Sequence, residues 1–550
     1  MRIWLPVAFL AMALASPAMA QSQPVLQLQG QPYFGGSMKL HLTGATGQPA
    51  LLAYGLNPLP LEQPLSTGKG PWYVGALVNL VALGNIPSSG RIDLPFTMPP
   101  EMPALAGIPI VMQGYVPWQL SNPTTVQLDE PYYVSANATT LQSTNPTELG
   151  LFGDRVAIGD LNADGETDIA VSAWFENAGG LTFSGRAYVF WGPSLATATT
   201  LEPPAPKYYG VFGEGLGICD LNGDGIDDLI ISEGNGDPPP PTDPGHLYLY
   251  SGGTSFAATP TATVSSAGTG TPYQAFGHIM AIGDFNDDGS PDAAIGEGLS
   301  TVQGFANAGQ VEIRFGPDLL ATQIVAAPDL SESGFLGDRL AAADVTGDGI
   351  DDLIVGAPRK KLGGLIAMGR VYLFTGPSLA HFKTIDHPLP SGANSRFGNA
   401  VVGADLNGDG IAEVIATDQR NHAFIFWSPA FDDYLLITRP PDPVTGTAIS
   451  VSFGYFAATG DVNGDDLVDV IVGDPFADST GRVYAALAPF FADSYVLIDK
   501  VPESLAEFGW GLTVSDIDGD GRAELIVGSD TADPSGIASA GRVTIFDFDP

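Results

Sequence analysis

The sequence predicts an all-β chain: a seven-bladed β-propeller with four-stranded blades, preceded by a small N-terminal β-sandwich-like domain. Three observations carry this prediction. One acidic loop recurs seven times, beginning at Asp160, Asp220, Asp284, Asp344, Asp405, Asp461 and Asp516, at intervals of 60, 64, 60, 61, 56 and 55 residues. Seven residues ahead of each first Asp stands a glycine: Gly153, Gly213, Gly277, Gly337, Gly398, Gly454 and Gly509. Each repeat also divides into four strand-like runs, which is the composition of a propeller blade; an open solenoid needs much shorter units.

In chain order, residues 1–20 read as a targeting segment. Arg2 provides the positive start, Ile3 to Ala15 the apolar stretch and Ala18-Met19-Ala20 a small-residue cleavage site. Export and a secreted or envelope location are therefore expected. No later stretch is apolar enough to span a bilayer as a helix, so no transmembrane anchor is expected. Residues 21–135 hold no copy of the repeat. Short runs such as Lys39–Leu42, Leu51–Tyr54 and Ile108–Met112, separated by turn signals, suggest a small β-sandwich. Trp72, Tyr73, Tyr115 and Trp118 there are core or strand-edge aromatics in the first instance and a sugar-stacking patch in the second.

The array occupies 136–550. In its first unit, Val156–Gly159 leads into the loop and Ile169–Val171 leaves it; Arg186–Trp191 alternates as a third strand and Ala198–Leu201 forms a weaker fourth. A Phe precedes the repeat glycine in six units, and the fourth has Leu336 with Phe335 beside it. The chain stops after the third strand of unit seven. Ahead of unit one, however, Asn137-Ala138-Thr139-Thr140-Leu141-Gln142 resembles the fourth-strand text Thr197 to Glu202. This early segment is expected to complete the last blade and remove the open edge of the ring.

The loops themselves place oxygen-bearing side chains at positions one, three, five and nine. They are Asp160, Asn162, Asp164 and Asp168; Asp220, Asn222, Asp224 and Asp228; Asp284, Asn286, Asp288 and Asp292; Asp344, Thr346, Asp348 and Asp352; Asp405, Asn407, Asp409 and Glu413; Asp461, Asn463, Asp465 and Asp469; Asp516, Asp518, Asp520 and Glu524. A glycine at position six supplies a sharp turn in every loop but the sixth, where Asp466 stands. Hard oxygen donors in this number suit Ca²⁺, up to seven ions in all. An EF-hand would need an acid at position twelve, where this chain has only apolar strand residues such as Val171 and Ile231. Without a cation, the clustered carboxylates would repel.

Composition sets outer limits. Gly and Pro are abundant (69 and 46), charged residues make up 15 %, and the net charge is −40. That charge argues against nucleic acid and anionic membrane surfaces as partners. The single cysteine, Cys219, rules out intrachain disulfides; its counterparts in the other units are Gly, Ala or Ser, so it reads as a small buried filler.

The Phe-Gly start, the DxNxDGxxD loop and the Gly356-Ala357-Pro358 that follows a second strand resemble the FG-GAP repeats of integrin α-subunit propellers and of secreted bacterial proteins. The resemblance covers roughly residues 136–550. It implies Ca²⁺ in loops between first and second strands and ligand binding on the opposite face. With no membrane helix after the propeller, an integrin-type receptor is not expected.

No nucleophile elbow, zinc-protease helix, Walker loop or dinucleotide fingerprint occurs, and the six His show no ligand spacing. The function expected is a monomeric extracellular binding or adhesion module for a protein or glycan. A polysaccharide- or phospholipid-acting enzyme and a passive envelope component are the alternatives. On the face opposite the loops, the connections between second and third strands carry Trp174, Phe175 and Phe183, then Phe305, then the basic triplet Arg359, Lys360 and Lys361. These are the candidate ligand residues, the triplet suited to an acidic ligand. The bland reading, blade-capping aromatics and solvated charge, fits the same loops.

Overall fold

Seven antiparallel blades of four strands follow one another along the chain, and in blades one to six the order is sequential from first strand to fourth. The structure, a computed structural model, describes residues 138–234, 245–267, 276–389, 393–439, 452–489, 494–499 and 505–548, with Phe491 and Glu503, and the backbone of the strands N-terminal to them. Blade one consists of Val156–Gly159, Asp168–Ala173, Arg186–Phe190 and Ala198–Leu201. Blades two to six repeat this plan. Blade seven takes its first three strands, Leu512–Ser515, Glu524–Ser529 and Arg542–Phe546, from the end of the chain.

Its fourth strand comes from the beginning. Thr139–Leu141 pairs antiparallel with Arg542–Phe546, setting Thr139 opposite Ile545, Thr140 opposite Thr544 and Leu141 opposite Val543. The expected closure is therefore present, between the segments that the sequence nominated for it. First strands of successive blades contact one another around the ring, including that of blade seven with that of blade one.

Burial is graded outward from this ring. First strands are half-buried, second strands are buried along their whole length (Asp168–Ala173, Asp228–Glu233, Asp469–Asp474), and fourth strands such as Ala380–Asp386 are largely exposed. This gradient explains why second strands read as continuous apolar runs and fourth strands as polar, Thr-rich text. Apolar packing lies between blades. One cluster joins blades one and two through Leu161, Ala170, Val189, Phe212, Leu229 and Tyr248; the cluster that closes the ring joins Leu141, Phe152, Val171, Ile526, Val543 and Ile545.

The Phe-Gly signature is the hinge of each interface. Phe152, Phe212, Phe276, Phe397, Phe453 and Phe508 are buried, and Leu336 takes that place in blade four. The glycine that follows has φ between 80° and 100° in all seven blades. A Cβ on Gly153 would stand 2.7 Å from the Arg542 carbonyl oxygen of the preceding blade, and one on Gly213 2.8 Å from that of Arg186. Only glycine satisfies both constraints. The small residue before each loop has a similar cause: a Cβ on Gly159 would lie 2.4 Å from Ile218 of the next blade.

Blades two, three, five and six also contain a buried polar knot at the far end of their second and third strands. Glu233 accepts from Lys207 (2.8 Å) and Tyr248 (2.6 Å), and Glu297 from Ser300 (2.8 Å) and Gln310 (2.7 Å). Asp418 accepts from His387 (2.9 Å) and His422 (2.8 Å), and Asp474 from Arg439 (2.7 Å). Buried charges persist only when paired in this way.

The chain divides into units 1–129 and 130–550. The second begins a few residues before the expected 136 because Tyr132–Val134 pairs in parallel with Ser494–Ile498, adding a fifth strand to blade six. In the N-terminal unit, Val25–Gln29, Ser37–Thr43 and Arg91–Thr97 form one sheet. A second contains Asn79–Asn85, Pro49–Leu56, Val7–Met12, Ile110–Val116 and Gln119–Leu120. Val7–Met12 falls inside the segment read as a targeting signal and pairs with both Pro49–Leu56 and Ile110–Val116. Trp72, Tyr73 and Trp118 lie outside the described residues.

Candidate functional site

Every acidic loop joins a first strand to a second, so all seven emerge on one end of the propeller. Their shape is set by hydrogen bonds to their own backbone. In loop two, Asp220 accepts from the N–H groups of Gly223 (2.8 Å), Asp224 (3.0 Å) and Gly225 (2.8 Å), and Asp224 accepts from Ile226 N–H (3.0 Å). The position-five carboxylate makes the same turn in all seven loops, for example Asp348 to Ile350 (3.1 Å) and Asp520 to Arg522 (2.8 Å). Position six is left-handed throughout, and in the sixth loop Asp466 adopts that conformation with φ of 64°. Asp tolerates it at a cost of about 1–2 kcal/mol.

Position nine plays a double part. Asp168 accepts from Leu161 N–H (3.0 Å) and from Gly192 N–H (2.8 Å), tying the loop to the turn after the third strand. Asp292, Asp352 and Asp469 repeat this clamp. Burial first, and then the neighbouring carboxylates of positions one and five, pushes Asp168 and Asp292 up to about 6 and Asp469 to about 7. Glu413 and Glu524, the two longer side chains at this position, also rise to about 7, again chiefly through burial. Neighbouring loops are linked as well: Asp227 N–H donates to the Asp160 carbonyl (3.2 Å), and Ala523 N–H to that of Asp461 (2.8 Å).

Two observations test whether these loops fit a cation. Asp516, Asp518, Asp520 and Glu524 each offer an oxygen within 4.8 Å of the others. In loop six, Asn463 Oδ1 and Asp465 Oδ2 are buried without a hydrogen-bond partner. Crowded carboxylates and orphaned oxygens both suit a hard divalent ion. In the fourth loop Thr346 Oγ1 lies 3.4 Å from Asp344 Oδ1, so its hydroxyl faces the same space as the other donors.

The opposite end is uneven. Residues 418–421 join the second and third strands of blade five, against 174–185 in blade one. Of the candidate ligand residues, Trp174, Phe175 and Phe183 come together, with ring centroids 4.0 and 4.7 Å apart, and Tyr209 and Tyr208 extend the row. Phe305 is exposed at the tip of a separate hairpin. The basic triplet does not act as a unit, which corrects the expectation for it. Lys360 is 2 % exposed, its ammonium donating to the Asp329 carbonyl (2.5 Å) and pairing with its carboxylate (3.3 Å), which Arg370 and Tyr372 also hold. Lys361 is exposed, and Arg359 lies over the Phe335 ring at 4.8 Å.

Arg359 instead belongs to a recess of about 200 Å³ shared by blades three to seven. With it stand His278, Asp338, Arg339, Arg396, Asn399, Tyr455 and Trp510, none of which the sequence reading selected. A signal was available: His278, Asp338, Asn399, Tyr455 and Trp510 each directly follow the glycine of the Phe-Gly signature. The same register brings Asp154 and Glu214 to this end, Asp154 accepting from the Trp510 indole and Glu214 pairing with His278 (3.0 Å). Beside Trp510, burial and the Asp154 charge push Glu507 up to about 7.

The family model of the FG-GAP repeat matches residues 152–190, 453–485 and 508–546, and that of the FG-GAP-like repeat matches 220–295 and 344–416. Among curated proteins, phosphatidylinositol-glycan-specific phospholipase D of Bos taurus is 29 % identical over 222 residues, covering 36 % of this chain and 26 % of that protein. Integrin alpha-5 of Xenopus laevis is 28 % identical over 224 residues, covering 37 % and 20 %. Integrin alpha-8 of Homo sapiens is 29 % identical over 231 residues, covering 38 % and 21 %. The matched stretch thus spans about a quarter or less of these relatives' length. No described helix is long and apolar enough to cross a membrane.

Proposed function

From a propeller built of FG-GAP repeats and integrin α-like in kind, we propose that this chain is an exported calcium-binding module that holds a protein or glycan ligand on the face opposite its acidic loops. The observation that carries the reading is the contrast between the two ends. One end repeats the same oxygen donors seven times; the other varies the residue after each Phe-Gly around a recess. In loop seven Asp516, Asp518, Asp520 and Glu524 would hold the ion, and the donors at the same positions would do so in the other six. Bound Ca²⁺ supplies positive charge to crowded carboxylates and stiffens the links between neighbouring blades. Export rests on the targeting segment at residues 1–20.

The test is a glycan and extracellular-protein array probed with the full chain in calcium and in chelator. Saturable binding that calcium supports is expected; absence of any calcium-dependent ligand overturns the reading. A second reading, an enzyme acting on a phospholipid or polysaccharide, is favoured by the phospholipase D relatives. Turnover of phosphatidylinositol-glycan or a polysaccharide would establish it. A passive envelope component would show neither binding nor turnover.

A further inference from the structure

We propose that the recess at the end opposite the acidic loops is a subsite for one anionic pyranose unit of an acidic polysaccharide, its carboxylate or sulfate held by Arg339, Arg359 and Arg396. This deepens the binding-module reading and rests on it. Arg339 Nε is buried without an acceptor, and no hydrogen bond or ion pair of the Arg396 guanidinium occurs among the described residues. Buried donors left unmatched are costly, and an anion supplies what they lack. The single carboxylate in the lining, Asp338, is shared with Arg359 at 3.3 Å and leaves a cationic excess. Arg155 lies behind it, ion-paired with Asp154 (2.9 Å), its guanidinium and that of Arg339 lying 5.7 and 6.0 Å from the same Phe456 ring. Burial above all holds Arg339 below the ordinary guanidinium range, against the opposing pull of Asp338 and with a smaller push from Arg155 and Arg359.

Size and wall chemistry identify the rest of the ligand. A volume of about 200 Å³ is below the roughly 300–1,000 Å³ of sites for drug-sized molecules, so it takes one ring rather than an oligomer. Tyr455 and Trp510 stand in one wall with ring centroids 5.4 Å apart, and aromatic faces suit the apolar side of a sugar ring. An acidic protein loop would need a basic rim as well. Here the acids next to the lining are Asp154, buried against Trp510 and Arg155, Glu214, paired with His278, and Glu507, which favours a compact anion over an extended acidic chain.

Calorimetric titration of the full chain in calcium tests this with D-glucuronate, glucose 6-sulfate, glucose, inorganic sulfate and a tetraglutamate peptide. At least one anionic sugar should bind about tenfold or more tightly than glucose and sulfate. Arg396→Gln and Arg359→Gln, both at the surface, should each weaken that binding about tenfold with melting temperature unchanged. Sulfate binding as tightly as the sugars would overturn the pyranose assignment, and tighter binding of tetraglutamate would replace it with an acidic peptide. Failure of both anionic sugars to bind, or binding indifferent to both substitutions, would overturn the site. If the arrays still show a calcium-dependent ligand in that case, the binding-module reading stands and its site lies elsewhere.

Discussion

The ring is closed by three residues, and Leu141 is the one that packs. It is 3 % exposed and belongs to the apolar cluster with Phe152, Val171, Val543 and Ile545 that joins blade seven to blade one. Leu141→Ala removes this contact and leaves a cavity, which costs about 2–5 kcal/mol at buried leucines. Unfolding entropy of about 2.1 cal/mol/K per residue over the roughly 420 residues of the propeller unit amounts to about 0.9 kcal/mol/K. The melting temperature should therefore fall by about 2–6 °C in calorimetry, if the unit melts as one. Deleting residues 138–142 should do more, because the exposed edge of Arg542–Phe546 becomes a template for association, seen as loss of the monomer peak on gel filtration. Cysteines at Thr140 and Thr544, directly opposed in the register, should cross-link on oxidation. A Leu141→Ala protein with unchanged melting, together with a 140/544 pair that never cross-links, would refute closure by this segment.

Three further outcomes follow from the same structure. Chelation should lower the melting temperature: at millimolar calcium and Kd of about 10⁻⁴–10⁻³ M each site adds about 0.4–1.4 kcal/mol, and an unchanged melt would mean the loops are not calcium sites. Glu507, raised to about 7, favours the folded state fully only below its unfolded value near 4.5, and that contribution is lost as pH rises through 7. Glu507→Gln should therefore melt higher than the parent at pH 8 and gain much less at pH 4.5; an equal shift at both would show that Glu507 carries no raised pKa. Cys219 is buried and pushed up to about 12, mainly by that burial, so native protein should resist iodoacetamide until denatured; rapid native labelling would contradict its placement.

Much of this molecule was legible because its repeat forces the same local solution seven times. A glycine held near φ of 90° against a neighbouring carbonyl, a Phe in every blade interface and oxygen donors at fixed loop positions all leave residue types that cannot vary. Blade count, loop ends and the closing segment at Thr139–Leu141 follow from those types and from edge pairing alone. The knots were less visible, since their partners differ from blade to blade: Lys207 for Glu233, His387 and His422 for Asp418, Arg439 for Asp474. Lys360 was misread for this reason, as nothing adjacent in sequence announces Asp329 thirty-one residues away.

The sequence by itself determined the elements, because periodicity and glycine placement are local consequences of backbone geometry. What only the tertiary structure decided is which variable residues meet. His278, Asp338, Asn399, Tyr455 and Trp510 are separated by 55 to 61 residues at each step, and one position after each Phe-Gly looks unremarkable in any single repeat. Ring closure turns those five copies of one position toward a shared axis, where Arg339, Arg359 and Arg396 join them. Rotation about that axis carries no trace in the spacing of one blade, so the recess exists only once all the blades are in place.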